Sequence, residues 1–442
     1  MLKQIGTYGE NRKDEIKIKN AEFPAIFHAG LEFNAPVHGT WNIVHIGMQL
    51  PESIQIYVCA QNCMRGVVLT AAEMNAADRF SYVVLSERDM IAGDVEEITI
   101  RGVIDVLQKR QQLPRAVLLF TVCVHHFLGC DYNRIYRELE QKFPQIDFVR
   151  CYMDPIMQKQ GLTPDQKLRR AILEKLPQYS SIERKLAILG SDFAYDTESG
   201  LFGLLRQEGC EIVQSRTCST YDEFLQMAQA EVFVCVYPPA KIGTEQTAKR
   251  LGRTFFYLPA SFDYALIERQ AEILGNYFAV TTKELKNERR LAEEALDKAF
   301  SVIGTTPIAI DYTVHPRPLG LARLLLSHGF FVDTIYIDTV SKEEEADFIW
   351  LKEHVPELKL SATIQVSKRI AVRGRNKKVL AIGQKAAWFE DTPWFVNMVS
   401  GGNLYGYSGI CEMTNLMTDA FLNPKDTKDI VPRKGWGCDS CL

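Results

Sequence analysis

No run of apolar residues in this 442-residue chain approaches the roughly 20 needed to cross a bilayer, and its opening, MLKQIGTYGENRKDEIKIKN, lacks the apolar core of a secretory signal. These absences predict a cytoplasmic protein with no membrane association. An excess of one charge is also missing: 51 basic residues against 55 acidic ones leave a formal net charge of −4, which argues against a nucleic-acid partner. There is no G-x-x-x-x-G-K-[ST] phosphate loop, and neither GSDFAYDTESG nor IGTTPIAIDYTVHPRPLG fits G-x-G-x-x-G, so the chain is expected to bind neither ATP nor NAD itself. Serine-hydrolase elbows and H-E-x-x-H are absent too. Low-complexity segments and short repeats do not interrupt the chain, and this favours compact domains.

Hydrophobic residues make up 46% and charged residues 24%, the balance of a globular protein. At roughly 150 residues per domain the length allows about three domains. Strand and helix patterns alternate in three successive blocks, 1–180, 181–304 and 305–442, which calls for an α/β fold of three Rossmann-like domains with parallel sheets and right-handed crossovers. In the first block VHGTWNIVHIG and IYVCAQNC precede the apolar run AVLLFTV, and GLTPDQKLRRAILEKL reads as an amphipathic helix. The second opens with KLAILGSDF, a strand ending at Gly190, runs through the helix SGLFGLLRQEGC and the strand EVFVCVYPP, and closes with a long helix stopped by Gly304. The third contains TPIAIDYTV, GLARLLLSHG, FFVDTIYID and KKVLAIG before a last helix around ICEMTNLMTDAFL.

Cysteine, in contrast, is plentiful, with 11 residues. A compartment that keeps thiols reduced makes disulfides a poor explanation, so metal or cluster ligation gains weight. Cys151, Cys210 and Cys218 show no useful spacing and read as small core residues. Cys123 differs, because residues 116–122 form a short Val/Leu-rich run while Ile135, Tyr136, Leu139 and Phe143 recur at helical spacing, which puts Cys123 at the carboxyl end of a buried strand. Open α/β sheets place their ligands there. Cys59 and Cys63 form a C-x3-C pair after the apolar QIYV, and a loop pair there could meet Cys123 on the same sheet edge. His125 and His126 follow Cys123 and could ligate metal, relay protons or tune a bound group; the plain alternative packs one under the loop and leaves the other in solvent. Cys130 could add a thiolate. The terminal PRKGWGCDSCL holds Cys438 and Cys441 in a C-x2-C, open to a metal contact, a redox dithiol or no specific role.

With Thr121 two residues before Cys123, Gly129 six after it and Asp131 opening the helix, residues 116–143 resemble a stretch shared by nitrogenase component 1 and its relatives, among them the dark-operative protochlorophyllide reductases. In that family the strand-end cysteine ligates an iron–sulfur cluster between two homologous subunits. The resemblance therefore implies Cys59, Cys63 and Cys123 as iron ligands. The family's glycine is usually followed by two acidic residues, and Cys130 takes the first of those places here. Its His-Gly-x-x-Gly-Cys segment corresponds to His38, Gly39, Thr40, Trp41, Asn42 and Ile43, without the cysteine; His38 and Gly39 would shape the cluster loop. Either Cys59 and Cys63 replace the missing ligands or the site is remodelled, which favours a [4Fe–4S] cluster over a larger one.

AQAEVFVCV aligns with the segment that presents the cysteine of the nitrogenase active-site metal cofactor, making Cys235 a further candidate, with a buried strand cysteine as the alternative. The family's second cofactor ligand is a histidine in the third domain. This chain has no histidine after His354, and Trp388 and Trp394 occupy that neighbourhood, which counts against a nitrogen-reducing cofactor. GSDFAYDTESGLFGLLRQEGCEIV and LYGYSGICEMTNLMTDAF resemble further family segments, so the likeness extends over nearly the whole chain and implies three Rossmann-like domains around a central cleft.

The function implied is that of a subunit in a two-component reductase. Electrons would come from a separate ATP-dependent iron–sulfur protein, pass through the cluster and reduce a substrate in the interdomain cleft, with a homologous subunit giving α2β2 or a second copy giving a homodimer. Two other readings stand beside it: a scaffold that assembles clusters or metallocofactors without turnover, and a non-redox Rossmann-like protein that binds a small molecule.

Overall fold

The apolar run Ala116–Val122 forms a strand, β4, in which every residue is buried, as a strand covered by helices on both faces requires. It belongs to a computed structural model that describes residues 14–27, 43–64, 67–68, 70–71, 75–153, 161–374, 377–397 and 404–426; His38, Cys438 and Cys441 lie outside them. Contacts divide the described residues into two units, one drawn from Trp41–Ala194 and Cys210–Pro259, the other from Met1–Thr40, Tyr195–Gly209 and Ala260–Lys434.

In the first of these units β4 lies within a four-stranded parallel sheet of order β3–β2–β4–β5, where β2 is Ser53–Cys59, β3 is Phe80–Val84 and β5 is Asp147–Met153. Tyr57 stands opposite Phe120, and Phe120 opposite Cys151. Alternation sends Ile56, Val58, Val117 and Leu119 to one face, against Val103 and Leu107 of the helix Val95–Gln108 and Ile135 and Leu139 of the helix Tyr132–Lys142. Tyr57, Cys59, Phe120, Val122 and Cys151 share the other face with Ile46 of the helix Ile43–Met48 and Leu168 and Ile172 of the helix Pro164–Leu173. Tyr57 and Phe120 stack there at 4.3 Å and 5°. The one amide inside this strand, Gln55, is satisfied: it donates to the Val44 carbonyl at 2.8 Å and accepts from the Tyr57 hydroxyl at 2.8 Å.

A second parallel sheet of the same unit has the order β7–β6–β8–β9, built from β6 (Glu183–Ile188), β7 (Glu211–Gln214), β8 (Ala230–Cys235) and β9 (Thr254–Tyr257). The core containing Tyr57 and Phe120 continues into it through Ala187, Leu189 and Phe233. Just past β6 the chain turns at Gly190 with φ +71°, and a Cβ there would lie 2.6 Å from the Ala240 Cβ. That close approach needs glycine.

The other unit is built on a six-stranded sheet of order β1–β12–β11–β10–β13–β14, comprising β1 (Glu15–Lys17), β10 (Ile308–Asp311), β11 (Val332–Tyr336), β12 (Lys359–Ser361), β13 (Leu380–Ile382) and β14 (Phe395–Val396). Its strands pair in parallel except β1, which adds antiparallel to β12. A short edge strand arriving from a distant part of the chain needs no crossover helix, so it escapes the parallel rule that governs the rest. The helices Leu285–Ile303 and Gly406–Leu422 pack beside this sheet through Leu296, Ile410, Met413 and Met417. No helix of the described residues is long and apolar enough to cross a membrane.

Two glycines separate backbone from packing costs. Gly129 holds φ +66° with no atom near its missing Cβ, whereas Gly190 combines a positive φ with the Ala240 clash. Gly129→Ala is expected to lose ~1 kcal/mol of stability and Gly190→Ala about 2–4 kcal/mol, as measured by urea unfolding of the two variants beside the wild type.

Candidate functional site

Because β2 and β4 are neighbours running in the same direction, the chain leaves both at one sheet edge. Cys59 ends β2, Cys63 closes the single 3-10 turn Gln61–Cys63, and Cys123 opens the short helix Cys123–Phe127 directly after β4. The Cys63 amide donates to the Ala60 carbonyl at 2.9 Å, which fixes that turn. The three differ in access: Cys63 is exposed, Cys123 is half-buried and Cys59 is buried at 0% exposure. Cys59 shares the core face of Tyr57 and Phe120. Burial first, and Cys63 beside it second, push its thiol up to about 12.

His125 sets the geometry of the Cys123 turn. Its Nδ1 accepts from the Val122 backbone N–H at 3.3 Å, which leaves the proton on Nε2 to donate to the Thr99 Oγ1 at 3.1 Å. Thr99 in turn donates to the Val95 carbonyl at 2.7 Å. Both ring nitrogens are engaged in a site of 0% exposure, so this imidazole has no lone pair free for a metal, and it holds the residue before Cys123 instead. Burial lowers its pKa to about 4. Thr99 escaped the sequence reading, although a hydroxyl at the apolar spacing of Val95 and Val103 on an amphipathic helix was its signal.

The remaining candidates are spread out. His126 is exposed beside Phe127, which is 64% exposed. Cys130 is half-buried, its amide donates to the His125 carbonyl at 3.0 Å, and burial followed by the Glu96 carboxylate raises its thiol pKa. Asp131 caps the helix Tyr132–Lys142 by accepting from the Arg134 amide at 3.1 Å. Cys235 lies on the second sheet at 0% exposure, its thiol donating to the Tyr237 carbonyl at 3.2 Å. No group of three or more His, Cys, Asp or Glu side chains among the described residues is arranged to hold a metal ion. A single chain's described residues therefore do not complete a cluster site. They supply two accessible thiols at one sheet edge.

The buried His125 makes a testable contribution to stability. Its folded-state pKa of about 4 lies below the ordinary 6.5, so unfolded chains take up the proton first and stability is lost as the pH falls through that interval. Urea unfolding near neutral pH and at about pH 5 should show the wild type losing ~2 kcal/mol more than His125→Leu, a variant already weaker at neutral pH by about 1–3 kcal/mol, while the lowered His45 and His315 add the same loss to both. Equal pH dependence in both proteins would remove His125 from this role.

No curated protein sequence matches this chain. The fold is shared with solved structures of a nitrogenase: "Nitrogenase Cp1 at pH 6.5" superposes with a TM-score of 0.66 at 12% identity, covering 90% of this chain and 94% of that one. "Nitrogenase Cp1 at pH 5" gives 0.60 at 10% identity, covering 96% of each. Residues 44–418 match the family described as nitrogenase component 1 type oxidoreductase, so they span both cysteine-bearing strand ends and every strand of the three sheets except β1, and the chain belongs to that family.

Proposed function

We propose that this chain is a subunit of a nitrogenase-like two-component reductase that holds an iron–sulfur cluster jointly with a second, homologous chain. The observation that carries the reading is the pair of accessible thiols, Cys63 and Cys123, at the ends of the adjacent parallel strands β2 and β4. A bound [4Fe–4S] cluster would supply one-electron transfer between a reductase and the substrate. Cys63 and Cys123 would be its principal ligands from this chain, with Cys59 behind them: its thiol is neutral in the core and would ligate only on releasing its proton to solvent as the metal binds.

The chain's own residues perform three tasks in this account. His125, through the Val122 amide, fixes the backbone that presents Cys123. Phe127 and Leu128, 64% and 49% exposed, offer apolar surface beside the cysteine edge for a covering chain that would exclude water. His126, exposed on the same short helix, is free to take part in proton movement or hydrogen bonding at that edge. Electrons would come from an ATP-dependent iron–sulfur partner, as the family likeness implies. The partner chain would be a homologous subunit in α2β2 or a second copy, the location cytoplasmic, and the domains 1–180, 181–304 and 305–442. Of the readings raised by the sequence, the match over residues 44–418 supports those that rest on the family likeness.

The test is the iron and acid-labile sulfide content of anaerobically purified protein, with electron paramagnetic resonance before and after dithionite. Wild type should carry iron with a reducible signal; Cys123→Ser and Cys63→Ser should lose most of both, while Cys210→Ser, buried at the start of β7, should keep them. Iron-free wild type from cells competent in cluster assembly, or unchanged iron in both edge variants, would overturn the proposal.

A further inference from the structure

The cysteine edge accounts for one end of the first sheet. At the other end, where β2 and β4 begin, an open groove of ≈ 610 Å³ is lined by four arginines, Arg79, Arg110, Arg115 and Arg216, with Glu52 as the one carboxylate among its lining residues. Arg110 follows the helix Val95–Gln108 and Arg115 directly precedes β4, while Arg216 follows β7 at the carboxyl edge of the second sheet. That second edge is where open α/β sheets receive ligands.

The arginines are not equivalent. Arg115 is paired with Asp222, at 2.7 and 3.2 Å, and also feels Glu52. Glu52 is otherwise occupied in accepting from the Tyr221 amide at 2.8 Å. Arg79 spends its guanidinium on the carbonyls of Met48, Leu50 and Ser53 at 3.0, 2.6 and 2.9 Å; Asp78 offsets part of its charge. Arg110 and Arg216 each donate once, to the backbone carbonyls of Asp78 at 3.0 Å and Asp192 at 3.1 Å, and neither has a carboxylate partner among the described residues. Two guanidinium forks are thus left with free donors, backed by two fixed cations. A guanidinium presents parallel N–H groups that match two oxygens of a phosphate or carboxylate. The groove is large enough for a small-molecule ligand.

We propose that this groove binds a small multivalent oxyanion, a phosphate ester or a polycarboxylate, with Arg110 and Arg216 as its direct ligands and Arg79 and Arg115 as supporting charges. The site is separate from the cysteine edge and stands whether or not that edge holds a cluster.

Calorimetric titration of the full-length protein at low ionic strength with inorganic pyrophosphate, and separately with citrate, tests it. At least one should saturate at one per chain, and the stronger of the two identifies the phosphoryl or the carboxylate source. Arg110→Ala/Arg216→Ala should weaken that binding by about tenfold or more, and Glu52→Gln, which removes the opposing charge, should tighten it. Arg110→Lys/Arg216→Lys keeps the charge but not the fork, so it should fall between wild type and the alanine variant; it also serves if the alanine variant does not fold. Failure of both anions to saturate wild type, or undiminished affinity in the alanine or lysine variants, would overturn the proposal.

Discussion

The hydrogen bond from the Val122 amide to His125 Nδ1 is the constraint on which the candidate site depends, because it stops β4 at a fixed residue. A strand buried on both faces runs on until its next amide finds another acceptor. Here the acceptor is a neutral imidazole held from its far side by Thr99, so the chain turns into a helix at Cys123 and the thiol emerges at the sheet edge rather than inside it. β2 ends one strand away in the same direction, and its short turn brings Cys63 out at the same edge. A buried histidine thus governs an accessible cysteine without competing with it for a metal.

Much of this was legible in the sequence, for physical reasons that differ by residue. The Val/Leu-rich run and the 3.6-residue spacing after it locate Cys123 at a strand end, and Gly190 and Gly304 mark chain turns with positive φ that the structure contains. Other features depend on parity or on distant partners. Cys59 sits in a strand covered on both faces, so the apolar run does not reveal whether its thiol turns outward or lies beside Tyr57 in the core. His125 and His126 look equivalent in sequence, and the Val122 amide and the Thr99 hydroxyl, the latter contributed by a different helix, hold the buried one while the other is exposed. The groove arginines come from three separate segments and have no motif that sequence reading could have found.

The same separation of fold from chemistry runs through the family likeness. Identity to the nitrogenase structures is 10–12%, yet nearly the whole chain follows their fold. What persists is a set of buried parallel strands, a layout fixed by helix-covered sheets and right-handed crossovers rather than by particular side chains. The chain's cysteine is missing at Ile43, where the family pattern expects one, while Cys63 stands exposed at the neighbouring strand end.

Two accessible thiols are too few for a four-iron cluster on one chain, so the central claim is that a second chain completes the site. Native mass spectrometry of the anaerobically purified protein reads chain number and cluster mass together. The account predicts that iron and sulfide travel with assemblies of two or more chains, at one four-iron mass increment per pair, and that chains separated from one another are metal-free. An iron-loaded single chain, or a stable pair with no added mass from a cluster-competent host, would contradict it.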